Sequence, residues 1–233
     1  MKIKIIFLLA LCAVFFSCKT TPPPVVEKFT VSLRSPQVVI GDIEFQFDPF
    51  LSIGKITKET ASVIYFPRED AVCLQYRQAF FTYHQFWSAD GRQAYSNALQ
   101  KYNTDFEERK LNQRAGRRER RKYGATEGFL IWQQMSFTVQ ASGNMNVEFG
   151  YAFSDRSPYF IVNQLEAEFI EPNELLRDHN RTSMAMAMFF TRAQAAELEK
   201  YFDQQLLDSI ALPAAVQTEQ IPQRRRQTSG DEY

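Results

Sequence analysis

The chain has 233 residues, with 27 Lys and Arg against 27 Asp and Glu, 2 His and 3 Cys; 45% of it is apolar and 14% aromatic. A formal charge of zero excludes a globally basic nucleic-acid binder, and so few cysteines exclude a disulfide-built scaffold. The length allows one ordinary domain with a sizeable core, and much of the aromatic content (21 Phe, 10 Tyr, 2 Trp) falls in alternating patterns that predict a β-rich interior.

Lys2 and Lys4 precede an unbroken apolar run from Ile5 to Phe16, which ends at Ser17-Cys18. About 12 residues at about 1.5 Å each cannot span a hydrocarbon core of about 30 Å. The run therefore reads as the apolar region of a secretory signal over 1–17, with a small residue at the cleavage point. Phe15-Phe16-Ser17-Cys18 resembles a bacterial lipobox, where cleavage leaves a Cys that carries acyl chains such as palmitate. Phe15 and Phe16 depart from the commonest pattern and are similar to the looser lipoboxes of spirochaetal lipoproteins, while Ser17 fits. The alternative is an ordinary cleaved signal with an incidental Cys, but no A-x-A-like site lies nearby. Cys12 is a poorer candidate, because Leu11 before it is too large for the cleavage pocket. Loss of Lys2 and Lys4 leaves 25 basic against 27 acidic residues, and Cys73 as the remaining free thiol. No cofactor is called for.

Residues 18–28 form the lipidated Cys and a tether in which Pro22, Pro23 and Pro24 favour an extended polyproline conformation. A single domain over 29–212 follows. Its first strand signals are Phe29–Leu33, Val38–Ile40 and Ile43–Phe47, the last two separated by Gly41-Asp42 as a tight turn. Ala61–Phe66 is a further strand. From Ala71 to Trp87 apolar residues first alternate and then crowd both faces, which predicts one long strand with a bend or bulge.

Asp90-Gly91-Arg92-Gln93 reads as a capping box opening a helix over about 90–112, with Tyr95, Ala98, Leu99, Tyr102 and Phe106 on its apolar face. The run from Lys110 to Lys122 holds Lys110, Arg114, Arg117, Arg118, Arg120, Arg121 and Lys122 against Glu119 alone. A hairpin follows, with strands through Phe129–Val139 and Met145–Phe153 and a turn at Ala141-Ser142-Gly143-Asn144. Strands at Tyr159–Phe169 and Met184–Phe190 flank a polar loop through Pro172 and Asn180. Met184, Met186 and Met188 form a stripe that reads as a gap-filling core edge, or less readily as a ligand surface. Thr191-Arg192-Ala193-Gln194 is a second capping box, opening a helix over about 192–210. Residues 213–233 lack periodicity and read as a disordered tail. The architecture expected is α+β: a mostly antiparallel twisted β-sheet covered by two amphipathic helices, about 90–112 and 192–210.

The stretch Phe80 to Gly124, with Gly150-Tyr151, Ser157-Pro158-Tyr159-Phe160 and Phe189 to Ala195, resembles a group of uncharacterised treponemal lipoproteins. The resemblance implies a lipid-anchored spirochaetal protein and brings no catalytic residue with it.

No metalloprotease, nucleophile-elbow, Walker or dinucleotide fingerprint is present. His84 and His179 read as core or surface histidines, Glu107-Glu108 as a solvated helix face, and Cys73 as a small buried hydrophobe. Only the basic run offers a binding chemistry: a solvated loop, or a surface for anionic lipid, an anionic envelope polymer or an acidic protein. The expectation is an exported, noncatalytic envelope module, anchored to a membrane through Cys18. The alternative is a carrier of a lipid or other apolar ligand in a curved sheet. Export disfavours nucleic acid as a partner.

Overall fold

A computed structural model describes residues 29–48, 57–78, 80–112, 122–134, 140–154, 156–169 and 183–210. Its strands are β1 (Val38–Asp48), β2 (Thr57–Phe66), β3 (Ala71–Gln78), β4 (Phe81–Trp87), β5 (Lys122–Gln134), β6 (Gln140–Ser154), β7 (Ser157–Gln164), β8 (Glu168–Phe169) and β9 (Met186–Phe190). Helix α1 spans Ala89–Glu107 and α2 spans Arg192–Tyr201, and a third short helix, α3, covers 204–210.

The strands pair antiparallel in the order β5-β4-β3-β2-β1-β9-β7-β6, and β5 also pairs with β6, so eight strands close into a barrel with the two-residue β8 appended to β6. This corrects the expected open sheet covered by two helices. The strand alternation was legible, but the partners of β9 were not. It inserts between the first and last hairpins, with Met188 opposite both Phe47 of β1 and Val162 of β7. Closure gives each of these eight strands a paired neighbour on both sides.

One set of alternating side chains then fills the interior. Phe45, Val63, Leu74, Tyr83, Leu130, Val147, Phe160 and Met188 are each no more than 1% exposed. Rings bridge the barrel: Phe45 meets Tyr76 at 5.7 Å and Phe190 at 5.9 Å, and Tyr76 stacks on Tyr83 at 5.5 Å. The helices plug one end rather than covering a face. Tyr95, Ala98, Leu99 and Tyr102 of α1 join Ala195 and Leu198 of α2, and Leu207 beyond it, in the same core.

The crowded pattern at Ala71–Trp87 is a hairpin, not one bent strand: Gln78 at the end of β3 pairs with Phe81 at the start of β4. Both faces are apolar because β3 and β4 are buried on both. Val72, Leu74, Tyr76, Tyr83 and Trp87 point inward, while Cys73 and Phe86 join Ile64, Phe66, Ala71, Phe129 and Ile131 in a second cluster on the outer wall. Val31 is buried in that cluster, with Phe29 and Leu33 packed against it. The residues expected as a first strand thus cover a wall without entering the sheet.

Other boundaries shift for local reasons. Gly41 is not in a turn; β1 runs through it with a bulge between Val39 and Gly41. A Cβ at Gly41 would collide with the Tyr201 ring, so the glycine lets α2 approach β1 closely. The cap of α1 is Ser88, whose Oγ accepts from the Gly91 N–H at 3.2 Å, and Gln93 bonds Asn97 instead of reaching back. The expected helix over 90–112 ends at Glu107, followed by Arg109 with φ 55. The capping box of Thr191 and Gln194 forms as expected, but α2 stops at Phe202 and the chain restarts as α3. Residues 141–144 lie inside β6, paired with 130–132 and Phe129 of β5, so they do not form the expected turn, and 135–139 between the two strands lie outside the described residues.

Arg92, 3% exposed, holds the plugged end together. Its guanidinium donates to the Asp70 carbonyl at 2.7 Å, the Asp70 carboxylate at 2.9 Å and Gln204 Oε1 at 2.6 Å, joining the β2–β3 turn, α1 and α3.

Burial pushes the phenols of Tyr65, Tyr83 and Tyr102 up to about 12, with the Asp70 carboxylate adding to the effect at Tyr65. Tyr76 and Tyr95 lie well above their ordinary 10.0 for the same reason. The proton-bearing form is therefore favoured in the folded chain. Their contribution to stability should be level below pH 10.0, where the unfolded phenols still hold their protons, and be lost as pH rises toward 12. Urea midpoints measured across that window should drop steadily; a level midpoint would contradict the burial of these rings.

Candidate functional site

Cys18, the tether and the tail lie outside the described residues, as do Arg114, Arg117, Arg118, Arg120, Arg121 and His179. The two ends of the basic run are described. Lys110 pairs with Glu108 at the end of α1, and Lys122 with Glu148 of β6 at 3.0 Å, so both are engaged with acids. The run leaves from the helix-plugged end, where the Asn112 N–H donates to the Tyr151 hydroxyl at 3.1 Å.

The remaining candidates take the quieter reading. Cys73 is fully buried on the outer wall, and burial pushes its thiol up, away from the reactive thiolate. His84 faces outward on β4, 7% exposed, and burial lowers its pKa. Glu107 and Glu108 diverge to separate partners, Arg192 at 3.1 Å and Lys110. Met186 and Met188 are core residues, whereas Met184 is 47% exposed. Among the described residues no group of His, Cys, Asp or Glu is placed to hold a metal, and no helix is long and apolar enough to cross a membrane.

Two arrangements were not legible beforehand. The first lies inside the barrel, toward the end opposite the helices. Tyr76 donates its hydroxyl to Gln164 Oε1 at 3.3 Å, and Gln164 donates to the Met184 carbonyl at 3.4 Å. Gln85 points into the same interior, fully buried, and neither atom of its amide has a partner among the described residues. An amide left so costs about 1–3 kcal/mol relative to a satisfied one, so it is a ready point of attachment for a polar group. A Gln at an inward position of an otherwise aromatic strand was the signal that could have found it.

The second is an open cleft of about 500 Å³ on the outer wall of β2, β3 and β4, at the same end. Lys58, Thr60, Gln75, Arg77 and Thr82 line it from outward positions, and Glu59 borders it from an inward position opposite Phe45. Neither Lys58 nor Arg77 forms an ion pair with a described residue. Arg77 stands opposite Thr82, close to the hairpin tip, where Phe80 is 73% exposed. No local pattern in the sequence marks this cleft, because its residues come from three strands.

No curated protein matches the chain, and no solved structure does. Residues 19–209 match the family described as an uncharacterised Treponema protein, in agreement with the treponemal resemblance carried by Phe80–Gly124 and the later motifs; the chain belongs to that family.

Proposed function

We propose that the protein is a noncatalytic binding or scaffolding module of the cell envelope, exported by its first 17 residues and tethered to a membrane through an acylated Cys18. The observation that carries this reading is the packing of the barrel. The volume that a lipid carrier keeps hollow is crossed by rings in contact, from Phe45, Tyr76 and Tyr83 at one level to Trp87, Phe149 and Phe160 at the other. Recognition then belongs to the outer surface and to the basic run, whose chemistry suits an anionic lipid, polymer or acidic protein. Crosslinking in intact cells followed by pull-down tests it. Capture of one envelope partner at near-equal amounts, lost when Arg117, Arg118, Arg120 and Arg121 are changed to Ala, supports the reading; capture indifferent to those arginines removes the run from it.

One observation favours a second reading, a receptor for a small apolar ligand with a single polar group. The unpartnered Gln85 amide, near Tyr83 and Trp132, would bond the polar group while the rings take the body. Native mass spectrometry of protein purified without denaturation decides between the two: a stoichiometric small molecule, lost on Gln85→Leu, supports the receptor.

A further inference from the structure

We propose that residues 29–37 form a releasable strap: closed, it covers the outer wall of β2 to β5, and on opening it bares that wall and lengthens the tether between barrel and anchor. The proposal rests on the envelope reading above, and three observations carry it. First, the strap lies on the wall through its side chains. Phe29, Val31 and Leu33 alternate toward the cluster around Phe66, Cys73, Phe86 and Phe129, with Val31 only 6% exposed, while Thr30, Ser32 and Arg34 between and after them are exposed. The segment has the alternation of a strand, yet it joins no ladder. Among the described residues its backbone N–H bonds stay local, from Ser35 to the Ser32 carbonyl at 3.0 Å and from Arg34 to the Ser32 hydroxyl at 3.3 Å. Each strand of the closed ring is instead paired on both sides, so the strap leaves without breaking a ladder.

Second, the polar fastening of the strap to the barrel is half made. The Ser35 hydroxyl donates to Oε1 of Glu69 in the β2–β3 turn, while Oε2 of the same carboxylate is buried with no partner among the described residues. An oxygen held in this way has lost its water and gained nothing in exchange, so opening returns it to solvent and offsets part of the apolar contact given up. Third, the strap directly follows the tether. Ten residues, 19–28, separate Cys18 from Phe29, and release of 29–37 frees nine more before β1 begins at Val38. Nine residues add up to about 30 Å of chain. A partner held farther from the bilayer than ten residues reach therefore pulls on a segment that side-chain contacts alone keep in place, and the barrel follows without unfolding.

The test follows Cys73, which is fully buried in the cluster that Val31 joins and is the only thiol once Cys12→Ala and Cys18→Ala are made. In that full, unlipidated chain the reaction of Cys73 with a small maleimide is timed at rising urea concentrations. Local opening exposes little surface, so the rate should hardly change with urea until the barrel itself unfolds. Val31→Ser should raise it at least about tenfold with a thermal midpoint close to the parent's, and Thr30→Ala, on the exposed side of the strap, should leave it unchanged. Labelling that climbs steeply with urea in parent and Val31→Ser alike, or a rate indifferent to Val31→Ser, overturns the proposal. So does a Val31→Ser chain that melts far below the parent, because the strap would then belong to the cooperative core. The lengthening is read by pulling between handles at position 18 and on Gln100, exposed on α1. An extension of up to about 30 Å should precede barrel unfolding, at lower force in Val31→Ser, and unfolding with no earlier extension overturns it. Neither measurement needs an acyl chain, so failure of the anchor, read from detergent partition of Cys18→Ala, is told apart from failure of the strap.

Discussion

Tyr95→Ala is expected to lower the unfolding free energy by about 3–5 kcal/mol, the cost of deleting a large buried ring from a core that cannot collapse around the gap. Tyr95 is fully buried at the junction of barrel and plug. Its ring meets Trp87 at 6.1 Å, Phe149 at 5.9 Å, Phe160 at 5.4 Å and Phe202 at 5.1 Å, each near perpendicular, so β4, β6, β7 and the end of α2 all pack on one side chain of α1. Its hydroxyl donates to the Ala195 carbonyl at 3.0 Å. For a domain of this size the melting temperature should fall by about 10 °C or more. Tyr95→Phe keeps the ring and loses one hydrogen bond, about 1 kcal/mol, so a large loss with Ala beside a small loss with Phe assigns the effect to packing. A loss below about 1 kcal/mol for Ala would mean that the helices do not plug the barrel as described.

The same residue shows what the sequence could and could not carry. Its place on the apolar face of a helix follows from spacing with Ala98, Leu99 and Tyr102, and all four are buried. That this face would meet the end of a closed barrel depends on β9 bridging β1 and β7. Such a pairing is a fact of long-range geometry, and alternation in Met186–Phe190 fixes only which side chains point inward. The Thr191 cap was legible because its partner Gln194 is three residues away; the Ser88 cap displaced Asp90 because both residue types can cap and the local pattern does not choose. Gly41 read as a turn because the close approach of Tyr201 that requires a glycine comes from 160 positions along the chain. The candidate surfaces follow the same division. The basic run is contiguous and was visible at once, while Lys58 and Arg77 become neighbours only when β2 and β3 lie side by side.

Cys18→Ala is expected to move the exported protein from the detergent phase to the aqueous phase in a phase-separation assay, with a change in partition of at least about a hundredfold. Each methylene placed in the bilayer contributes about 0.8 kcal/mol, a single chain binds only marginally, and two or more hold a protein almost permanently. The rest of the chain offers nothing of comparable strength among the described residues. The outer wall carries Glu44, Lys58 and Arg77, and its apolar cluster around Phe66, Phe86 and Phe129 is covered by Phe29, Val31 and Leu33, the reverse of the apolar outer band of a membrane-spanning barrel. Labelled palmitate should enter the parent and the Cys12→Ala chain alike, and not Cys18→Ala. Equal partition of parent and Cys18→Ala, with no label in either, would detach the protein from the membrane.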